Sequence, residues 1–251
     1  MNKLVIISGS SGGFGKALVD IYHNDNFIVV GLDCKKSHKN DLNNFHEITC
    51  DLVKFSKNEA YRHKISRKIE KFIPKNLNDF NIINNAAEQI IKEFKEINSD
   101  DWDNSFSVNT IAPFFLIHEH LDKLINCSGN VVNISSIHSK LTKKGFVCYA
   151  ASKAALESLT RSLAIDLSPL GISVNSVAPA AINTDMLRDS FSSNPEKLRE
   201  LKSYHPSKDI GNPEELAALV KVITDYKGKF LTGSRFSVAG GIEGVLHDPD
   251  Y

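Results

Sequence analysis

The sequence predicts an α/β fold in which a parallel, doubly wound sheet carries helices on both faces. Predicted strands alternate with predicted helices along the whole chain, which is the order that parallel sheets require. Most strand segments, such as residues 4–7 (Leu-Val-Ile-Ile), are continuous apolar runs, as expected for strands that are covered on both faces. The sequence has no linker, internal repeat or low-complexity tract, so one domain spanning residues 1–251 is predicted.

The individual elements follow from periodicity and from glycine, proline and capping residues. Apolar runs predict strands at residues 4–7, 27–30, 45–49, 80–83, 131–134, 172–177 and 235–238. Apolar residues at helical spacing predict helices at residues 17–22, 55–72, 101–125, 149–167 and 213–222. Ser99 or Asp100 is expected to cap the third of these helices, and Pro113 to bend or break it. The polar segment 183–208 is predicted to form a lid of two short helices with a mobile joint.

Composition argues against several classes of partner. Thirty basic residues offset thirty acidic ones, so no net charge favours nucleic acid or an anionic membrane. No apolar segment approaches the ~20 residues that span a bilayer, and residues 1–8 lack a signal-peptide cleavage site, so a cytoplasmic protein is expected. The four cysteines are widely spaced without a CxxC pair, which argues against a metal site and suits a reducing compartment.

The turn after the first strand is rich in glycine and reads Ser8-Gly9-Ser10-Ser11-Gly12-Gly13-Phe14-Gly15. Glycine permits positive φ and lets the backbone approach a ligand closely. The N-terminus of the following helix supplies free amides and partial positive charge. A buried strand, a glycine turn and a helix in this order are typical of the Rossmann fold, in which the turn seats the pyrophosphate of a dinucleotide.

Asp33, at the end of the second strand, favours NAD as the cofactor. It lies eighteen positions beyond Gly15, and the dinucleotide fingerprint expects an acid about 20 residues on, where it accepts hydrogen bonds from the adenosine ribose. A carboxylate at that point repels the 2′-phosphate of NADP. Lys35 and Lys36 are near enough in sequence to pair with that phosphate, so NADP remains the alternative.

Tyr149 and Lys153 carry the chemistry that the sequence predicts. Residues four apart on a helix share a face, so the ammonium group of Lys153 is expected beside the phenol of Tyr149. A free tyrosine has a pKa near ~10, and a neighbouring cation lowers that pKa, which lets a phenol act as acid or base near neutral pH. Ser136 precedes Tyr149 by thirteen residues. With the glycine turn, these residues predict hydride transfer between a nicotinamide and an alcohol or carbonyl.

These motifs resemble those of the classical short-chain dehydrogenase/reductase family, from Lys3 to about Gly241. Ser8, Gly9, Gly13 and Gly15 match TGxxxGxG, with serine in place of threonine. The other matches are Asp51-Leu52, the Asn84-Asn85-Ala86-Ala87 segment (NNAG with Ala87 for glycine), Asn109, Ser136, Tyr149, Lys153, and Pro179, Ala180, Ile182 and Thr184 (PGxVxT with Ala180 for glycine). Ala239 departs from the aspartate that often precedes the final Gly-Gly.

The resemblance implies a role for each matched residue. Tyr149 would be the acid/base, with its pKa lowered by Lys153 and by the positive nicotinamide. Lys153 would also hold the nicotinamide ribose. Ser136 would donate to the substrate oxygen, and Asn109 would hold a water that links Lys153 to solvent. The implied cofactor contacts are Ser8, Gly9, Ser11, Gly13, Phe14, Gly15, Asp33, Asp51, Leu52, Asn85, Ala86, Ala87, Tyr149, Lys153, Pro179, Ala180, Ile182 and Thr184. Family members commonly form dimers or tetramers through the long helices that hold Asn109 and Tyr149.

The substrate is the least defined part of the prediction. His138, just past Ser136, and Met186, just past Thr184, are expected to line its pocket with Ser136 and Tyr149. Lysines at 140, 143 and 144 form either a basic rim for an anionic substrate or a solvated surface. We predict an NAD-linked oxidoreductase for a secondary alcohol or ketone of a small polar metabolite, such as a sugar derivative. One alternative is an NADP-dependent 3-oxoacyl carrier-protein reductase, which is disfavoured because Asn130 and Leu170 stand where such enzymes often have arginines. The other alternative is a dinucleotide-binding regulator without turnover.

Overall fold

A computed structural model describes residues 2–35, 42–184, 187–188, 191 and 194–246. Within these residues, parallel strands form one sheet in the order β3-β2-β1-β4-β5-β6-β7. The strands are β1 (Lys3–Ser8), β2 (Ile28–Asp33), β3 (Phe45–Thr49), β4 (Asp79–Asn84), β5 (Asn130–Ile134), β6 (Ser173–Pro179) and β7 (Arg235–Val238). All seven predicted strands are confirmed. Successive strands are added on one side of β1 up to β3 and then on the other side from β4 to β7, so β1 and β4 flank a topological switch point. Doubly wound sheets bind ligands at the carboxyl edge of such a switch point.

Helices cover both faces of the sheet, as predicted. They are α1 (Gly13–Asn24), α2 (Leu52–Lys57), α3 (Glu59–Glu70), α4 (Ser99–Phe106), α5 (Ala112–Glu119), α6 (Leu121–Cys127), α7 (Val147–Leu167), α8 (Pro195–Ser203) and α9 (Pro213–Asp225). Alternate residues of β1 enter opposite cores: Leu4 and Ile6 pack into one cluster, and Val5 and Ile7 into the other. This two-sided burial explains why the strand is a continuous apolar run.

The prediction of a single helix over residues 55–72 is wrong. Asn58 separates α2 from α3, because its side-chain oxygen accepts a hydrogen bond from the backbone N–H of Tyr61 at 2.8 Å and so caps α3. Asp51 caps α2 in the same way by accepting from the backbone N–H of Lys54 at 3.1 Å. Asparagine and aspartate favour this position because their side chains replace the missing helical acceptor.

The predicted helix over residues 101–125 is also interrupted. A π-helical turn over Ser107–Ile111 follows α4, and α5 begins directly after it with Pro113 in its first turn, so the predicted break at this proline is confirmed. The predicted cap at Ser99 or Asp100 is wrong. The Asn98 side chain caps α4 by accepting from the backbone N–H of Asp101. The Asp101 carboxylate in turn accepts from the backbone N–H of Asn98, which completes a capping box.

The segment 183–208 contributes α8 and helical backbone at Leu187 and Arg188 to the described part of the chain. Met186, predicted to edge the substrate pocket, lies outside the described residues. Within the described residues, every helix is too short or too polar to span a membrane.

Candidate active site

Two hydrogen-bonded residues join the carboxyl ends of β1 and β4 at the switch point. The Ser8 hydroxyl accepts from the backbone N–H groups of Asn85 (3.0 Å) and Ala86 (3.1 Å). The Asn85 amide in turn donates to the carbonyls of Ser8 (3.1 Å) and Gly9 (3.0 Å). These contacts fix the glycine turn against the segment that ends in Ala87, so the two predicted cofactor motifs form one rigid surface.

The glycine turn has the shape of a phosphate cradle. Gly9 has φ +68°, and a Cβ there would lie 2.8 Å from the Cα of Ala86. A Cβ on Gly15 would lie only 1.9 Å from the Gly9 carbonyl oxygen, and one on Gly13 would meet Thr184 at 2.9 Å. The first turn of α1, which includes Phe14, has no acidic residue, and its N-cap Gly12 offers no side-chain acceptor. Its first amides therefore remain available to an anion, and the residues present fit a dinucleotide pyrophosphate.

Asp33 lies beside this turn with its carboxylate already oriented. It accepts hydrogen bonds from the backbone N–H groups of Ser11 (3.0 Å) and Lys35 (3.1 Å). The Ser11 hydroxyl donates to the Glu47 carboxylate at 3.0 Å. Ser11 therefore touches two carboxylates at the position predicted for the adenosine ribose. Sequence reasoning missed Glu47, which β3 brings here by pairing with β2 so that Glu47 lies opposite Gly31.

The remaining predicted cofactor positions line the same carboxyl edge. Asp51 and Leu52 follow β3 at the start of α2, where Asp51 serves as the helix cap. Pro179 ends β6, and the N–H of Ala180 donates to Val238 at 3.1 Å. Ile182 pairs with Gly211, and the Thr184 hydroxyl accepts from the N–H of Leu187 at 3.3 Å.

Lys153 and Tyr149 share a face of α7, as predicted, with the Lys153 Nζ 5.8 Å from the centre of the tyrosine ring. Lys153 is 1% exposed, and its Nζ donates to the Ile134 carbonyl at 2.7 Å. Burial lowers the pKa of Lys153 to about 7. A lysine with that pKa is only partly charged at neutral pH, and the hydrogen bond to Ile134 uses one of its donors.

The protein surroundings raise the pKa of Tyr149, so the lowering expected from Lys153 is wrong, while the lowering expected from the nicotinamide stays a prediction. Burial raises the pKa of Tyr149, and hydrogen-bonding contacts with Ser136 and Gln89 oppose that rise only in part. Taking a phenolate out of water costs more than these two neutral partners return. In these surroundings the phenol is consequently protonated at neutral pH.

Ser136 lies at the end of β5 with its hydroxyl beside Tyr149. That hydroxyl accepts from the backbone N–H of His138 at 3.2 Å. The His138 ring stacks on Phe146 at 4.4 Å between centroids and meets the Tyr149 ring edge-on at 5.8 Å. Burial lowers the pKa of His138, so the imidazole is neutral at pH 7. The side chains predicted to contact substrate, apart from Met186, are thus brought together.

Asn109 lies in the π-helical turn and is 1% exposed. Its side-chain oxygen accepts from the Glu88 N–H at 2.7 Å, and its amide donates to the Glu88 carbonyl and the Ser152 hydroxyl, each at 2.9 Å. Both amide protons are in use, so the side chain fixes the loop after β4 against α7. π-Helical turns inside helices occur frequently at functional sites.

Gln89 is a second residue that sequence reasoning missed. Its side chain contacts the Tyr149 hydroxyl and lowers the pKa of that phenol. Asn109 holds its neighbour Glu88, and Lys92 fixes the far side of the segment by pairing with Asp101 at 2.7 Å. A glutamine two positions past an Asn-Asn-Ala-Ala segment carries no recognisable signal, because its proximity to Tyr149 depends on this loop path.

Comparison with known families agrees with this geometry. The family model described as short chain dehydrogenase matches residues 3–195. The chain belongs to the short chain dehydrogenase family. It is accordingly an oxidoreductase, as the motifs predicted.

Similar proteins extend over almost the whole chain. An uncharacterized oxidoreductase of Schizosaccharomyces pombe is 29% identical, over 96% of this chain and 90% of that protein. An NAD-dependent glycerol dehydrogenase of Listeria innocua is 26% identical, over 96% of this chain and 93% of that protein. Among solved structures, a 4-hydroxyisoleucine dehydrogenase complexed with NADH is 26% identical with a TM-score of 0.86, covering 98% of this chain and 100% of that one.

Proposed function

We propose that this short chain dehydrogenase transfers hydride between NAD(H) and a secondary alcohol or ketone of a small polar metabolite. The observation that carries the proposal is the convergence of Tyr149, Ser136 and Lys153 at the carboxyl edge of the sheet, next to the glycine cradle. The nicotinamide, when bound, supplies the hydride acceptor or donor. The protein's own residues hold the substrate oxygen and move its proton.

Tyr149 is the proton donor and acceptor in this proposal. The raised pKa keeps the phenol protonated at neutral pH, which suits protonation of the alkoxide that forms when a carbonyl is reduced. In the oxidative direction the phenol must ionise, so positive charge in the loaded site has to lower its pKa. Ser136 donates to the substrate oxygen and fixes its position relative to Tyr149.

Lys153 and the glycine turn are assigned to cofactor binding. Lys153 holds the nicotinamide ribose, and the α1 N-terminus holds the pyrophosphate through its uncapped amides. Asp33 accepts from the adenosine ribose, and its geometry is fixed by two backbone N–H groups. Asp51 and Leu52 are assigned to the adenine side of the crevice.

A preference for NAD over NADP is supported by the pair of carboxylates around Ser11. A 2′-phosphate at this point would face Asp33 and also Glu47, and like charges within a few ångströms repel by about 1 kcal/mol or more even in a polar surrounding. Lys35 donates its backbone N–H to Asp33, so this lysine supports the carboxylate through its main chain.

The cofactor preference can be tested by binding alone. NADH is expected to bind the purified wild-type protein at least tenfold more tightly than NADPH in a fluorescence titration. Glu47→Gln should tighten NADPH binding by about tenfold, or about 1.4 kcal/mol, while changing NADH binding little. Glu119→Gln, a carboxylate on α5 that pairs with Ser66, is the matched control. Equal affinity of the wild-type protein for the two cofactors would contradict the preference.

The pocket chemistry favours a small hydroxylated substrate. Its described polar groups are the hydroxyls of Ser136 and Tyr149, the Gln89 amide and a neutral His138 ring. Lys143 lies 4.9 Å from the centre of the Phe146 ring that stacks on His138, so one of the three predicted rim lysines borders the pocket and favours a carboxylate or phosphate on the substrate. The names of the glycerol and 4-hydroxyisoleucine dehydrogenases both describe small polar alcohols.

The test of the proposal is nicotinamide absorbance at 340 nm across a panel of small polyols, sugars, hydroxy acids and their ketones. The wild-type protein should oxidise or reduce at least one member, and Tyr149→Phe should lose at least a thousandfold in rate while still binding NADH. Turnover that survives Tyr149→Phe would overturn the mechanism. NADH binding without turnover on any compound would favour the regulator alternative.

We further propose that segment 183–208 acts as the substrate lid and that the protein works as a dimer or tetramer through the helices that hold Asn109 and Tyr149. Exposed apolar side chains on α4 and α7, including Trp102 (40% exposed) and Ile165 (73%), support such an association. Light scattering coupled to size exclusion would give the mass, and a monomer at micromolar concentration would contradict this.

A further inference from the structure

A buried carboxylate on α7 holds both sides of the Ser136 loop. Glu157, one helical turn beyond Lys153, is 5% exposed. Its Oε1 accepts from the Ser135 hydroxyl at 2.9 Å and from the Ser139 hydroxyl at 2.5 Å. These two serines lie on either side of Ser136 in the chain, so a single oxygen holds the loop on both sides of Ser136.

The loop is fixed further by its own contacts. The Ser139 backbone N–H donates to the carbonyl of Ser136 at 3.1 Å, and the Ser136 hydroxyl accepts from the N–H of His138 at 3.2 Å. The path from Glu157 to Ser136 is therefore continuous: the carboxylate holds the Ser139 hydroxyl, and the Ser139 main chain holds the Ser136 main chain. A shift of Glu157 would move Ser136 relative to Tyr149.

Arg235 on β7 supplies the charge that lets Glu157 stay buried. Its Nε donates to the same Oε1 at 2.8 Å, and its two terminal nitrogens both bond to Glu243, one of them at 3.0 Å. Ser237 donates to Glu243 at 2.6 Å. These contacts raise the pKa of Arg235 and lower that of Glu243, so this pair is ionised at neutral pH. The network connects the last strand of the sheet to the Ser136 loop.

We propose that Glu157 is a positioning residue that, with Arg235, sets the place of the Ser136 hydroxyl against the reacting oxygen. This inference rests on the proposed function. A buried ion pair is a poor device for stability alone, because well-packed apolar side chains of similar size often serve as well or better. The Glu157 carboxylate instead accepts three hydrogen bonds at one oxygen, and this fixes a loop geometry that apolar packing would leave loose.

The experiment compares Glu157→Gln with Glu119→Gln, using the best substrate found for the wild-type protein. Glu119 is a matched control because its carboxylate also lies next to a serine (Ser66, 3.1 Å) and an arginine (Arg62, 3.7 Å), but on the α3–α5 contact. Glu157→Gln should lower kcat at least tenfold, since small misplacement of a catalytic group is costly. Its Kd for NADH should stay within twofold of wild type, and Glu119→Gln should change neither quantity.

A double-mutant comparison separates positioning from general destabilisation. In a Ser136→Ala background the hydroxyl is gone, so Glu157→Gln should then lower the residual kcat by less than twofold. If Glu157→Gln does not fold, as judged by lost NADH binding, Ser139→Ala takes its place, because it breaks the same path without leaving a buried carboxylate unpaired. Its expected loss is about fivefold in kcat, again absent in the Ser136→Ala background.

Two results would overturn the inference: wild-type kcat in Glu157→Gln, or an equal loss in both Ser136 backgrounds. For the Ser139→Ala substitute, the same two results apply. Failure of the proposed function is a distinct result, because there the wild-type protein would show no turnover, or Tyr149→Phe would retain it.

Discussion

Replacing Lys153 with methionine should stabilise the ligand-free protein at neutral pH. The Lys153 side chain is buried, and the salt bridges of the described residues do not include it; its Nζ has the Ile134 carbonyl as hydrogen-bond acceptor. Burial lowers the Lys153 pKa from 10.5 to about 7. Methionine has a similar length and an apolar end, so it fills the space without bringing a charge into it.

The sign and size of the effect follow from proton linkage. The unfolded lysine is protonated below pH 10.5 and the folded one only below about pH 7, so between these values the unfolded state binds more protons and stability rises with pH. The cost of burying the ammonium is fully present below pH 7, at about 5 kcal/mol, and disappears above pH 10.5. Between pH 7 and pH 9, the titration of Lys153 alone should raise the free energy of unfolding by about 2 kcal/mol.

The assay is urea denaturation of wild type and Lys153→Met at pH 7 and pH 9, without cofactor. After about 1 kcal/mol is subtracted for the lost hydrogen bond to Ile134, the variant should be more stable by about 3 kcal/mol at pH 7. Its advantage should shrink by about 2 kcal/mol at pH 9, and this double difference cancels the other titrating groups. An advantage that does not change with pH, or a variant less stable than wild type at pH 7, would refute the reasoning.

Lys221 is a control lysine whose replacement by methionine should have the opposite effect on stability. It is also largely buried, but its Nζ pairs with Asp225 at 2.5 Å and with Asp25 at 2.8 Å. These partners raise the pKa of Lys221 despite its burial. Lys221→Met should therefore lose stability at pH 7, because it removes the cation that pairs with Asp225 and leaves Asp25 with only the longer contact to Lys3 at 3.4 Å. The loss should be the same at pH 9, since Lys221 stays protonated at both values.

Two further predictions concern the residues around Tyr149. Asn109→Ala removes three hydrogen bonds to Glu88 and Ser152. It should lower the free energy of unfolding in urea by about 2 kcal/mol and should lower kcat more than NADH affinity. A variant with wild-type stability and wild-type kcat would contradict the loop-fixing role. Gln89→Ala removes a contact that lowers the Tyr149 pKa, so the alkaline rise of kcat/KM for alcohol oxidation should move to higher pH. Gln89→Glu should move it further because a negative charge opposes ionisation of the phenol, and an unchanged pH profile for both variants would exclude the contact.

Strands and motif residues were predictable because each has a local signal. Apolar runs identify strands buried on both faces, and many of the predicted site residues follow closely after strands or lie four apart on a helix, as Tyr149 and Lys153 do. Asn109, which lies in a π-helical turn, was identified only by the family resemblance. Helix boundaries were less predictable. The interruption at Asn58 occurs because a single side chain caps α3 where the helix could have continued. The π-helical turn before Pro113 depends on how the helix accommodates the proline.

Residues brought in by tertiary contact carried no such signal. Glu47 meets Ser11 only because β3 pairs with β2 in one register, and Glu157 meets Ser135 and Ser139 only because α7 crosses the end of β5. The protonation state of Lys153 was also beyond the sequence. Spacing correctly gave its proximity to Tyr149, but its pKa depends on complete burial against the Ile134 carbonyl.

The buried polar residues near the carboxyl edge divide into two kinds. Asn84 donates to Asn133 at 2.8 Å, and Asn133 donates to Thr160 at 2.9 Å, so these neutral side chains are linked to one another, while the Asn84 Oδ1 has no hydrogen-bond partner among the described residues. Glu157 is satisfied by three donors, one of them a cation. Lys153 differs, because it combines a depressed pKa with a single carbonyl partner. This combination lowers stability and is typical of groups at functional sites, so it supports the proposal that Lys153 holds the oxygens of the cofactor ribose.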